Sequence, residues 1–261
     1  MPVLEIETIR GVQLMTMNRP KSLNSLNEEL SSALIRAFHM ASEDDEVRVV
    51  VLNGAGKGFC SGLDLTTVDS IGEQSSRFQA LDEYGWVGRL ALAISECDKP
   101  VIAAMNGIAA GAGLSLALAA DMRYMAASAR VTTGYIRRAL SPDAGMSYFL
   151  PRLVGPNRAA KWLFTGQDIA AFEAEQAGLV DEVYADGEFM PHVLRIAYDI
   201  ADQAPLALTY TKRLLHASFD TDLRSQLRQE FTSIKACFAT EDVAEGMQAF
   251  SEKRKPIYRG R

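Results

Sequence analysis

Between Val101 and Ala120 the chain runs through twenty residues whose only polar side chains are Asn106 and Ser115. A stretch of that length and apolarity belongs either in a bilayer or in the middle of a folded core. Here the apolarity comes largely from alanine, and Gly107, Gly111 and Gly113 interrupt it. It starts after Lys99-Pro100 and stops at Asp121 with no aromatic belt at either end. The segment therefore reads as a buried strand, a tight loop and a buried helix, and no membrane span is expected. A chain of 261 residues is long enough to cover such a layer within one large domain, or a domain with an appendage.

Two glycine-bearing stretches carry the chemistry. GAGKGFCSGLDL occupies 54–65, and NGIAAGAGLSLALAAD occupies 106–121. Each runs off an expected strand and brings backbone N–H groups to a strand end with few side chains to block a ligand. Two such donors aimed at one point make a cradle for an oxygen that gains negative charge during reaction. The glycines of 54–58 fall at alternate positions, which is not dinucleotide spacing, and Lys57 is followed by Gly58, which excludes a phosphate loop. Alone, that stretch is an ordinary strand-to-helix turn. The second loop gives it a partner.

Strand and helix alternate through the first half. Leu4 to Ile9 and Val12 to Met17 read as a hairpin around Gly11, and 27–41 as an amphipathic helix with Leu30, Leu34, Ala37 and Phe38 on one face. Apolar runs at 47–52, 101–105 and 123–126 read as buried strands. The polar, small-residue-rich 66–79 has the profile of a mobile cover, and 84–95 returns to helical periodicity. After a last strand at 179–184 the chain is helical, at 189–203, 206–219, 223–238 and 243–253. The expected organisation is an α/β core over 1–187 followed by a C-terminal helical region over 188–261, which suits packing against a neighbouring subunit.

Composition removes several function classes. A formal net charge of −6 argues against a nucleic-acid partner, which needs a dominant basic face. A small anionic ligand stays open, since a few local cations suffice. Cys60, Cys97 and Cys237 have neither metal-ligand spacing nor a disulfide pattern and fit a reducing compartment. The acidic start, MPVLEIETIRG, reads as no targeting segment, so a cytoplasmic location is expected.

FCSGLDL (59–65) joined with NGIAAGAGLSLALAAD resembles the paired signature of the enoyl-CoA hydratase/isomerase family, the crotonase superfamily. The likeness extends to NRPKSLNSL (18–26), TGQDIAAFEAEQAGLVDEV (165–183) and EDVAEGMQAFSEKRKP (241–256). It implies a spiral of ββα units with a C-terminal α-helical trimerisation region, built into a homotrimer or a hexamer of paired trimers. It implies an acyl-CoA thioester substrate and an enolate stabilised at the thioester carbonyl. The oxyanion donors would be the backbone N–H groups of Leu63, after Gly62, and of Ala112, after Gly111. Gly111 opens the expected helix, whose N-terminus favours an anion. Coenzyme A would arrive as part of the substrate, with no separate cofactor and no metal.

The departures from the family pattern are as informative. Hydratases of the family activate a water between two glutamates, and the corresponding positions here hold Ser115 and Tyr135. Serine without a partner is a poor general base. Asp143, in LSPDAGMSYFLPRLVG, stands where epoxide-type isomerases and aromatic acyl-CoA dehalogenases of the family resemble this chain in carrying an aspartate. By local pattern Pro142-Asp143 before a helical run is an N-cap; by resemblance Asp143 moves a proton, and one residue can serve both purposes. Tyr135 either packs in the acyl pocket or donates a hydrogen bond.

For coenzyme A the resemblance points to Lys21, Ser22 and Leu23, to Leu63, Asp64 and Leu65 near the thioester, and to Lys253, which often reaches the nucleotide from a neighbouring subunit. Lys253, Arg254 and Lys255 equally suit a solvated helix end. Asp64 and Asp121 read as structural acids, and Cys60 as packing, there being no activating His or cation nearby. The expected activity is an enoyl-CoA or epoxyphenylacetyl-CoA type isomerisation with Asp143 as the proton shuttle. Hydration, thioester hydrolysis or dehalogenation, and coenzyme A binding without turnover are the alternatives.

Overall fold

In the computed structural model, which describes residues 2–66 and 81–261, β1 (Leu4–Ile9) and β2 (Val12–Met17) form the expected antiparallel hairpin. Helix α1 (Glu28–Glu43) starts at Asn27, whose side chain accepts the Leu30 N–H, and Glu28 and Glu29 complement the positive end of its dipole. Leu30, Leu34, Ala37, Phe38 and Ala41 form its buried stripe. The chain continues through β3 (Val49–Gly54) and β4 (Gly58–Cys60), α2 (Gly85–Ser95), β5 (Val101–Met105) and β6 (Ile108–Ala110), then α3 (Ala112–Ala119). Next come β7 (Met122–Ala126) and β8 (Arg130–Thr132), α4 (Met146–Val154), α5 (Pro156–Thr165), β9 (Asp168–Ala170), α6 (Ala171–Gln176) and β10 (Glu182–Tyr184). Four helices close the chain: α7 (Asp186–Ala201), α8 (Pro205–Ala217), α9 (Leu223–Phe238) and α10 (Glu241–Glu252).

Two sheets carry these strands. The larger has the order β1-β2-β3-β5-β7-β10, and every pairing after the hairpin is parallel. The smaller has the order β4-β6-β8-β9, parallel except for its last pair. β3, β5 and β7 each pass after a short turn into a strand of the smaller sheet, so 101–120 becomes strand, strand and helix. All eight residues of α3 are buried, which is why this helix carries apolar side chains around its whole circumference. Among the described residues no helix is long and apolar enough to cross a membrane.

α7 runs across the expected boundary at 187/188, and its Phe189, Val193, Ala197 and Ala201 enter the same core as the sheet. The packing changes after α7: α8 buries only Lys212, and α9 buries nothing. Periodicity was alike in all four helices, and it cannot say what an apolar face meets. The expected cover at 66–79 falls outside the described residues, apart from Thr66.

The helical layer is fastened by ions and by the tail. Lys212 meets Asp121 at 2.8 Å, and the same carboxylate accepts from His216 and from the Val101 N–H. Burial pushes the Asp121 carboxyl up, but the His216 hydrogen bond and the Lys212 charge outweigh it, leaving it below its ordinary value. The Asp121 carboxylate thus joins α8 to the start of β5. Asp242 accepts from the N–H groups of Arg259 and Gly260 and folds the tail back.

Candidate active site

The first loop follows β4. The Ser61 N–H donates to the Leu23 carbonyl and its hydroxyl to the Ser22 carbonyl, so the turn at Pro20–Ser22 is tied against the end of β4. Leu26 then bridges Leu63 in parallel fashion, donating to the Gly62 carbonyl and accepting from the Asp64 N–H, each at 2.8 Å. In a parallel bridge the residue opposite Leu26 turns its own N–H the other way. The Leu63 amide therefore faces away, and among the described residues it has no protein acceptor.

The second loop follows β6. Gly111 (φ +51°) is the cap position of α3, with no side-chain cap, and its N–H donates to the Thr132 carbonyl. Ala112 is the first helical residue, so its amide is one of those a helix leaves unsatisfied at its positive end. It too has no protein acceptor among the described residues.

The two loops touch. A Cβ on Gly62 (φ +94°) would lie 2.7 Å from the Ala110 carbonyl oxygen and 3.7 Å from the Ala112 nitrogen. Only glycine allows both that backbone conformation and that approach. Leu63 and Ala112 thus occupy adjacent turns, each presenting an uncommitted amide. Two asparagines that sequence reasoning passed over hold the first loop open. Asn24, fully buried, donates to the carbonyls of Ala55 and Gly58 and accepts the Arg19 N–H. Asn106 brackets Gly54 from both sides and also reaches the Gly56 carbonyl. Asn24 is buried, a place where an amide is retained only when its hydrogen bonds are met, and half-buried Asn106 was one of the two polar side chains in the apolar run 101–120.

Ser115, Tyr135 and Asp143 come together. The Tyr135 hydroxyl donates to Asp143 Oδ1 at 2.7 Å, and the Ser115 Oγ lies 3.2 Å from the Tyr135 oxygen and 3.3 Å from the Asp143 carbonyl. Ser115 is 0% exposed and Tyr135 9%, whereas Asp143 is exposed. Burial first, and the Asp143 charge next, raise the Tyr135 phenol far above its ordinary value, so it stays protonated. The capping expectation for Asp143 is corrected. The cap position of α4 is Gly145 in the left-handed conformation with no side-chain bond, and Asp143 contributes only its carbonyl, to the Met146 N–H. Its carboxylate is turned to Tyr135, and among the described residues Oδ2 has no hydrogen bond.

The remaining expected residues divide. Lys21, Ser22 and Leu23 lie beside the first loop, with Lys21 and Leu23 exposed. Leu65 is exposed next to Asp64. Asp64 is structural: it accepts from the Thr66 N–H and hydroxyl and pairs with Arg19 at 2.7 Å. The Thr66 hydrogen bond, then Arg19, hold its carboxyl at about 2. Cys60 is fully buried and its thiol is pushed up to about 12 by that burial. Lys253 ends α10 in the left-handed conformation, and among the described residues its ammonium forms no ion pair. Among the described residues no group of three or more His, Cys, Asp or Glu could hold a metal ion.

Comparison with known proteins gives a consistent picture. Residues 7–261 match the family model described as enoyl-CoA hydratase/isomerase. The crotonyl-CoA hydratase of Syntrophomonas wolfei is 34% identical over 252 residues, covering 96% of this chain and 95% of that protein. The 1,2-epoxyphenylacetyl-CoA isomerase of Escherichia coli K12 is 32% identical over 254 residues, covering 97% and 96%. The crystal structure of an enoyl-CoA hydratase from Bacillus anthracis superposes with a TM-score of 0.93 at 34% identity, covering 99% of this chain and all of the other. Proteins named for hydration and for isomerisation stand at comparable similarity, so overall likeness does not separate the two reactions.

Proposed function

The chain belongs to the enoyl-CoA hydratase/isomerase family, and we propose that within it the protein is an isomerase of an enoyl-CoA or epoxyphenylacetyl-CoA type substrate. The amides of Leu63 and Ala112 receive the thioester oxygen, and Asp143 moves the proton. The observation that carries this reading is the exchange of side chains around one carboxylate. Where hydratases of the family have two glutamates, Ser115 and Tyr135 are hydrogen-bonded to each other, and Asp143 is the acid beside them.

The chemistry follows. Asp143 takes a proton from the carbon next to the thioester, and the electron pair moves onto the carbonyl oxygen. The two amides stabilise that charge without rearranging, because both are fixed by backbone geometry. In an enoyl-CoA the same carboxyl returns its proton to a carbon further along the conjugated chain and the carbonyl reforms. In an epoxide the enolate pair breaks the adjacent C–O bond, the carbonyl reforms, and the carboxyl returns its proton to the released oxygen. One base suffices for removal and return. Ser115 is a weak candidate for activating water, being buried and having a single hydroxyl proton to share among three acceptors.

Binding in this reading uses Lys21, Ser22, Leu23 and Leu65 along coenzyme A, and Lys253 from a second copy. Association is supported by α9, whose Leu223, Leu227, Phe231, Ile234 and Phe238 are exposed along one helical face. Coenzyme A enters with the substrate, and no resident cofactor is required. The test is product analysis on enoyl-CoA, epoxyphenylacetyl-CoA and haloaroyl-CoA substrates, with Asp143→Asn beside the wild type. The expected result is a shifted double bond or opened epoxide, and a loss of about 100-fold or more in kcat for the variant. A 3-hydroxyacyl product would establish hydration instead. Isomerase turnover surviving Asp143→Asn within a few-fold would remove Asp143 from its role.

A further inference from the structure

We infer that Tyr135 is a positioning residue for the base: its hydroxyl fixes Asp143 through Oδ1 and leaves Oδ2 as the oxygen that carries the substrate proton. This rests on the reading of Asp143 as the base and goes one step further, by assigning the two carboxylate oxygens different tasks.

Proton counting sets the direction of the network. An ionised carboxylate only accepts, so the 2.7 Å contact between the Tyr135 hydroxyl and Asp143 Oδ1 spends the single phenolic proton. A phenol committed in this way cannot also protonate substrate. Ser115 must then donate to one of its three neighbours: the Tyr135 oxygen, the Asp143 carbonyl or the Gly111 carbonyl. Where Ser115 donates to the Tyr135 oxygen, the donation runs from α3 through the phenol and ends on the carboxylate.

The elements around the pair make the arrangement rigid on one side and open on the other. Tyr135 follows β8 and begins the short turn Ile136–Arg138, its ring buried against the core. Ser115 is on α3, one turn from Ala112, and is fully buried. Asp143 has no cap duty and is exposed, so without Tyr135 its side chain would be free to turn about its own bonds. A hydrogen bond to a charged acceptor is strong enough to hold one rotamer. Proton removal and return at two carbons needs that fixity, because a carboxyl that rotates between the two steps exchanges its proton with water.

The experiment compares wild type, Tyr135→Phe and Asp143→Asn on an isomerisable acyl-CoA in deuterium oxide. For Tyr135→Phe the expected result is a fall in kcat of about 10- to 100-fold with KM within about twofold. Deuterium incorporated per product molecule rises, an outcome that a purely structural role would not produce. Turnover within twofold of wild type with unchanged deuterium content would overturn the inference. If Asp143→Asn abolishes turnover while Tyr135→Phe does not slow it, only the positioning role falls; if Asp143→Asn remains active, the base assignment falls and this inference with it. Should Tyr135→Phe fail to fold, the ultraviolet difference spectrum between wild type and Asp143→Asn reads the same bond. A tyrosine-band shift supports the donation, and a flat tyrosine region overturns it.

Discussion

Gly113 backs directly onto Cys60: a Cβ there would come within 2.7 Å of the Cys60 sulfur and would also strike its carbonyl oxygen. This contact locks the start of α3 to the end of β4, and so fixes the separation of the two uncommitted amides three residues beyond Cys60 and one before Gly113. Backbone cannot yield as a flexible side chain does. Gly113→Ala should therefore cost about 1–3 kcal/mol of stability, read by urea denaturation, through overpacking. Turnover should fall more than stability explains, with the loss in kcat larger than any change in KM. An alanine variant with wild-type kcat would show that the spacing of the loops is not critical.

Cys60 sits beside the candidate oxyanion site but should behave as an inert packing group. With its thiol pushed up to about 12 by burial, the thiolate at pH 8 is on the order of a thousandfold scarcer than for a free cysteine. Iodoacetamide should label half-buried Cys237 first and leave Cys60 untouched in the native protein, as followed by peptide mass spectrometry. Rapid alkylation of Cys60 would contradict both the burial and the raised value.

The Asp64–Arg19 pair makes part of the stability pH-dependent. The folded carboxyl is held at about 2 against an ordinary value of 3.8, by Thr66 first and then Arg19. A carboxyl depressed on folding stabilises the protein above its unfolded value, and the contribution is lost as the pH falls toward the folded one. The stability gap between wild type and Asp64→Asn should be flat near neutrality and shrink from about pH 4 to about pH 2. A gap that stays constant down to pH 2 would show that the carboxylate is not stabilised by folding.

Much of the fold was legible because its signals are local. The hairpin needed only alternation around Gly11, α1 carried both its Asn27 cap and its apolar stripe, and β5 was bounded by Pro100 and Asn106. β4, β6, β8 and β9 were not legible: three residues each are too few to show a period, and their pairing is entirely long-range. At the site, the glycines could be read as open backbone, but the hold of Asn24 and Asn106 on that backbone could not. The side chain of Asp143 shows the limit most clearly. A Pro-Asp pair ahead of a helix has the pattern of a cap, and only the fold of the intervening turn, which brings Tyr135 back to Asp143 eight residues later, gives the carboxylate its different partner.

β3, β5 and β7 each lead within a few residues into the smaller sheet, and two of those handovers end at the loops of Leu63 and Ala112. Side chains alternate sides along a strand, so slipping β5 by a single residue would invert its faces and displace the turn that leads through β6 to Ala112. The placement of the two amides is thus inherited from hydrogen-bond register far beneath them. An insertion or deletion inside β3 or β5 would shift the loops of Leu63 and Ala112 against each other even where the protein still folded.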